Sequence, residues 1–144
     1  MSVEQVSIAI HGPLEAAWNA LIDVESWPDW TPSMTRVERL DDGALRVGSR
    51  ARIKQPRMPA MVWEVTELKP AREFTWVGRS PGVATTGRHV LEPTAGGTRL
   101  TLTVEHRGVL AGLVTRLTRR RTRRYLGLEA KGLKASTEAT EGRS

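Results

Sequence analysis

The sequence predicts an α+β domain in which an antiparallel sheet of about seven strands grips one long C-terminal helix. Three observations carry that expectation. Leu110, Val114, Leu117, Tyr125 and Leu128 recur at helical spacing between Gly108 and Ala135, forming one stripe of a 3.6-residue period. A helix of that span is a rod of about 42 Å, longer than a small domain is wide. Ahead of it, short apolar runs separated by Gly, Pro and Asp signals follow one another closely. The last run alternates Leu100, Leu102 and Val104 with Thr101, Thr103 and Glu105, as a strand does when one face is covered and the other wet.

Each element can be justified in turn. Val3, Val6, Ile8 and Ile10 read as a first strand. His11-Gly12-Pro13 turns the chain, and Pro13 opens a helix to about residue 22 that carries Leu14, Ala17, Trp18, Leu21 and Ile22 on one face. Asp23 to Pro32 holds two prolines, which exclude a long helix but allow one turn led by Ser26 or Pro28. Trp27 and Trp30 in that turn each bury on the order of 200 Å², so at least one must plug the core or a cavity mouth. Strands are then expected at Val37–Leu40, Ala44–Gln55, Met61–Val65, Glu73–Gly78, Ala84–Glu92 and Arg99–His106. The breaks fall at Asp41-Asp42-Gly43, Pro56–Pro59, Lys69-Pro70, Ser80-Pro81-Gly82 and Pro93–Gly97. No repeat or linker marks a second domain, so one domain is expected over residues 1–135, followed by a disordered polar tail over 136–144.

Composition excludes several classes. Hydrophobic content of 39% and charged content of 26% are ordinary for a globular chain. No apolar run approaches the ~18 residues of a membrane span. Glu4 and Gln5 stand where a secretory leader would be basic and then apolar, so a cytoplasmic location is expected. Without cysteine there is no disulfide, thiolate metal site or thiol nucleophile. Residues 107–134 carry nine Lys or Arg against one acid, a balance of +8, so the rest of the chain holds −2 of the +6 total. Six of those cations are the arginines between Arg116 and Arg124, a patch suited to an anionic partner or simply a solvated helix face.

The element order, with Asp23-Val24-Glu25-Ser26-Trp27-Pro28-Asp29-Trp30 after the first helix, resembles the START-like (SRPBCC) superfamily. Within it the chain is most similar to the polyketide cyclase/dehydrase and lipid-transport group. Trp63-Glu64-Val65-Thr66-Glu67-Leu68-Lys69-Pro70 supports this, as does Gly87-Arg88-His89-Val90-Leu91-Glu92-Pro93 leading to Gly96-Gly97-Thr98-Arg99-Leu100. The resemblance covers residues 3 to 135 and implies a helix-grip (Bet v 1-like) fold: a curved sheet wrapped around the C-terminal helix, enclosing a hydrophobic pocket. Its members include aromatases, cyclases and carriers of lipids or hormones, and fold does not select among them.

Strand alternation nominates an inner face of Ala51, Ile53, Trp63, Val65, Phe74, Trp76, His89, Leu91, Leu100, Leu102 and Val104. The ligand-binding candidates are Trp30, Ile53, Trp63, Phe74, Trp76, His89, Leu117, Arg121 and Tyr125. His89 is the one histidine the alternation turns inward, able to donate to a ligand carbonyl or act as a base, or to serve only as a hydrogen-bonded core residue. Arg121 interrupts the apolar stripe and must find an anion, snorkel outward or face a wet cavity. These two are the catalytic candidates. No nucleophile set, carboxylate pair, phosphate loop or cofactor fingerprint is present, so neither cofactor nor metal is expected.

The reading is therefore a carrier or binder of a small hydrophobic or amphipathic molecule, leaning away from catalysis. A polyketide cyclase, aromatase or dehydrase is the first alternative. The second is an interaction protein that sets Arg116–Arg124 against an acyl carrier protein or a membrane surface. Nucleic acid is disfavoured because few aromatics interleave the arginines.

Overall fold

A computed structural model describes residues 2–141. The elements are β1 (Ser2–Ile10), α1 (Leu14–Ile22), a 3₁₀ turn at Val24–Ser26, α2 (Trp27–Trp30), β2 (Arg36–Arg39), β3 (Arg50–Lys54), β4 (Met61–Lys69), β5 (Glu73–Ser80), β6 (Val83–Thr94), β7 (Gly97–Arg107) and α3 (Ala111–Glu141). The strands make one sheet in the order β1-β7-β6-β5-β4-β3-β2, with every neighbouring pair antiparallel. From β2 to β7 the chain is a plain meander, and β1 closes on β7 with Ile8 opposite Leu100. With α3 lying across it against β1, β7 and α1, this is the helix-grip fold.

The core sits between the sheet's inner face and the helices. Ala51, Ile53, Val65, Phe74, Trp76, Leu91, Leu100 and Leu102 are all buried, as their alternation implied. Trp27 is the hub. It is fully buried, its indole N–H donates to the Leu21 carbonyl at 2.9 Å, and its ring centroid lies 5.2 Å from Trp76 and 5.8 Å from Trp30. Burial of such a ring contributes on the order of 4–6 kcal/mol in transfer terms.

Several boundaries differ from the sequence reading. The strand expected over Ala44–Gln55 begins only at Arg50, and 40–49 is a loop. Asp41 is the reason: its Oδ1 accepts the Arg50 N–H at 3.1 Å and its Oδ2 pairs with Arg39 and Arg46, while Gly43 and Gly48 turn the backbone at positive φ. In β4 a bulge between Val65 and Glu67 shifts the register, so alternation there does not run through. The expected tail is helical as far as Glu141. Thr137 is buried, and Glu138 accepts the His11 N–H at 2.8 Å and pairs with Lys134, which ties the final turns to the end of β1. Residues 142–144 lie outside the described part.

The largest correction concerns α3. Leu117 is 73% exposed, so the stripe read from Leu110 to Leu128 does not face the sheet throughout. Beyond Tyr125 the inner face is apolar apart from Glu129, with Leu126, Ala130 and Leu133 buried. Before it, the inner face is Val114, Thr115, Thr118 and Thr122. A helix that shows threonines to the sheet is bounding a space, not packing a core.

Candidate functional site: a cavity between sheet and helix

That space is a partly open cavity of about 410 Å³, within the range of small-molecule pockets. Trp63 and Trp76 form its floor, their ring centroids 5.9 Å apart. Two glycines make the floor possible. A Cβ at Gly78 would stand 2.9 Å from the Trp63 ring, and one at Gly87 would stand 3.2 Å from the Trp76 ring. Only bare backbone lets both indoles lie down on the strands. Val114, Thr118, Arg121 and Tyr125 of α3 form the roof. The Tyr125 hydroxyl donates to the Pro56 carbonyl at 2.8 Å, strapping the helix to the β3–β4 connection and closing that wall. The lining runs out to exposed Pro59 and Pro81.

Hydroxyls and amides line much of the wall, and the titratable groups His89, His106, Arg121 and Glu129 stand among them. His89, on β6, is buried, its ring stacked on Phe74 with centroids 4.2 Å apart and an interplanar angle of 14°. Its Nδ1 lies 3.1 Å from the Phe74 carbonyl, which can only accept, so Nδ1 carries the hydrogen. Its Nε2 therefore faces Glu129 Oε1 at 3.3 Å. Glu129 is itself buried on α3, and Oε1 makes no hydrogen bond among the described residues: the contact with His89 is close but poorly aligned. The pair is thus a buried acid and base with one open acceptor, both lining the cavity. A second histidine, His106, is buried near the end of β7 and contacts the Thr115 hydroxyl at 2.9 Å through Nδ1. Burial pushes its imidazole below the ordinary value of 6.5.

Arg121 is half-buried, lines the cavity and has neither ion pair nor hydrogen bond among the described residues. Glu64 and Glu105 are spent elsewhere, on Arg50 and Arg107. A guanidinium without a counter-ion at a cavity wall is ready to take a carboxylate, phosphate or enolate oxygen.

Of the residues nominated from sequence, the cavity brings together Ile53, Trp63, Trp76, His89, Arg121 and Tyr125. It does not include Trp30, Phe74 or Leu117. Trp30 packs beneath α3, where a Cβ on Gly132 would stand 2.1 Å from its carbonyl oxygen. Phe74 is fully buried behind His89, and Leu117 points to solvent. Among the lining residues not nominated from sequence, Trp27, His106 and Glu129 matter most to the chemistry. His106 lies two residues beyond Val104, so the inward parity of that strand extends to it, and the expectation of a single inward histidine at His89 was too narrow. Glu129 follows Tyr125 by four residues on the same helix face, a signal hidden by counting it only as charge. For Trp27 against Trp30, no sequence signal decides.

The family model described as polyketide cyclase / dehydrase and lipid transport matches residues 2–138. The chain belongs to this family. Among solved structures, this family member is similar to TTHA0849 from Thermus thermophilus, with 18% identity, a TM-score of 0.77 and 96% of this chain against 99% of that one. It is also similar to the Zhui aromatase/cyclase from Streptomyces sp. R1128, with 17% identity, a TM-score of 0.72 and coverage of 95% and 93%. A third is the di-domain ARO/CYC StfQ from the steffimycin biosynthetic pathway, with 15% identity and a TM-score of 0.75, where 97% of this chain covers 51% of that one. At these identities the likeness is one of fold. No curated protein sequence matches the chain. Among the described residues no cluster of His, Asp or Glu is placed to hold a metal ion, and no helix is long and apolar enough to cross a membrane.

Proposed function

We propose that the cavity binds a small amphipathic molecule, lipid- or polyketide-like. Its apolar body lies on Trp63 and Trp76, an anionic or enolic oxygen meets Arg121, and a hydroxyl donates to Glu129 Oε1. One observation carries this reading: a hollow of about 410 Å³, floored by two indoles, keeps two charged groups, Arg121 and Glu129 Oε1, whose hydrogen-bonding capacity is unused among the described residues. The test is displacement of an apolar fluorophore by medium-chain carboxylates and their methyl esters. Arg121→Gln should weaken the carboxylates on the order of tenfold or more and leave the esters unchanged. If neither series displaces the probe from the wild type, the reading falls.

The His89–Glu129 contact favours a second reading, cyclase or dehydrase chemistry. A base that faces a carboxyl group at 3.3 Å at a cavity wall can take a proton from a carbon next to a carbonyl and return it to a departing hydroxyl. His89 Nε2 would act as base and acid, with the Phe74 carbonyl holding Nδ1–H and Glu129 stabilising the imidazolium once Nε2 is protonated. A β-hydroxy or β-keto thioester chain incubated with the wild type should then dehydrate or cyclise. His89→Gln should abolish turnover while binding survives. Binding without any turnover by the wild type leaves the carrier reading alone.

A further inference from the structure

The start of α3 presents a surface that the cavity does not explain. Val109 is 93% exposed, Leu110 44%, Leu113 54% and Leu117 73%, four large hydrophobes grouped at one tip of the molecule. At 100° per residue Leu113, Leu117, Arg120 and Arg124 fall within a sector of about 60° on the face turned away from the sheet, with Arg116 beside them. The outer stripe is therefore apolar for its first turns and cationic for the next, roughly 10 Å further along. The arginines are not alike. Arg119 and Arg123 are engaged by Glu4, at 3.3 and 2.8 Å, whereas Arg116, Arg120 and Arg124 have no ion pair among the described residues.

The tip is held in place. Gly108 turns the chain out of β7 at φ 113, and the Leu110 N–H donates to the Gly82 carbonyl at 2.9 Å. Leu110 also covers Gly82, where a Cβ would stand 2.6 Å from its side chain. The apolar tip is thereby fastened to the β5–β6 turn, beside Pro81 and Val83, which line the cavity, as does Val114 one turn into the helix.

We propose that this end of the molecule docks reversibly on an anionic phospholipid bilayer. Val109, Leu113 and Leu117 enter the headgroup boundary while Arg116, Arg120 and Arg124 sit among the phosphates. The order of the surface decides for this occupant. An apolar projection flanked by Arg116, with unpaired Arg120 and Arg124 set back behind it, matches the layering of a bilayer, apolar inside and anionic at the face. Nucleic acid offers nothing for the leucines, and a second copy would bring arginines against arginines. Docking concerns the outer face of α3 and holds whatever the cavity binds, yet it would set the 80–83 turn and the rim of the cavity against the membrane.

Flotation of the full chain with phosphatidylcholine vesicles, with and without phosphatidylglycerol, at low and high salt, tests this. The wild type should bind the anionic vesicles, and salt should release it. Arg116→Glu/Arg120→Glu/Arg124→Glu should cut partitioning on the order of a hundredfold. Leu113→Ser/Leu117→Ser should cut it on the order of tenfold with the salt dependence kept. Arg99→Glu, on the exposed face of β7, should change it little. All of these positions are exposed or half-exposed, so circular dichroism should show an unchanged fold. Absence of binding to anionic vesicles at low salt, or equal binding by the charge-reversed variant, overturns the proposal. So does capture of an acidic carrier protein through these residues by a chain that ignores vesicles.

Discussion

At the scale of single residues, the cavity contains two histidines under different constraints. His89 spends one nitrogen on a backbone carbonyl and turns the other to Glu129. Among the described residues His106 bonds the Thr115 hydroxyl alone, and burial lowers its proton affinity in the folded chain. The unfolded chain therefore binds more protons in the window just below pH 6.5. Stability contributed by His106 is present above that pH and is lost as pH falls below it. His106→Gln keeps a hydrogen-bonding group opposite Thr115 and removes the titration. Urea unfolding between pH 7 and pH 5 should show a shallower loss for the variant, by at most about 1.4 kcal/mol per pH unit. A steeper loss, or no difference at any pH, would contradict the assignment of His106 as a neutral buried imidazole. Arg121 belongs to the same scale. The sequence marked it as a charge on an apolar stripe, and the fold places it at a cavity wall with no acid to meet it.

At the scale of elements, α3 does three different things along its length. Its first turns carry the exposed tip, its middle roofs the cavity, and its last turns pack on Trp30 and the end of β1. Two glycines separate these roles cleanly. Gly127 has open space around a built Cβ, so Gly127→Ala should stabilise the chain by about 0.5–1 kcal/mol through helix propensity alone. Gly132 lies against the Trp30 backbone, so Gly132→Ala should destabilise by about 2 kcal/mol or more, because helix and turn must part. Thermal melts of the two variants, moving in opposite directions, check both. Truncation after Ser136 should also lower the melting temperature, since it removes buried Thr137 and the Glu138 contacts with His11 and Lys134. An unchanged melt would restore the reading of this segment as a passive tail.

The same helix shows why parts of the architecture were legible in the sequence and parts were not. Period-2 alternation marked the inner faces of β5, β6 and β7, because a strand has only two faces and one of them is apolar. Period 3.6 marked the existence of α3 but not its rotation, because leucines sit on both its inner and outer sides. A solvent-facing leucine at position 117 serves no packing purpose, so a reading that assigns every hydrophobe to the core turned the helix the wrong way. The loop at 40–49 was opaque for another reason: the side chain of Asp41, not the backbone pattern, decides where β3 starts.

At the scale of the whole molecule, the helix does not close down on the sheet. Trp27, Phe74 and Leu133 fill the space at one end, and threonines facing two indoles leave it open at the other. The glycines at 78 and 87 and the strap from Tyr125 to Pro56 hold that opening as part of the fold. The family match and the unused capacity of Arg121 and Glu129 are the two supports of the binding proposal. The most direct test is a native mass spectrum of gently purified protein, compared with Thr118→Trp, which fills the cavity from the roof. A ligand-holding cavity predicts a bound small molecule on the wild type, or one acquired from a fatty-acid and polyketide panel with a raised melting temperature, and its loss from the folded variant. Apo mass throughout, with no thermal shift from any member of the panel, would contradict it.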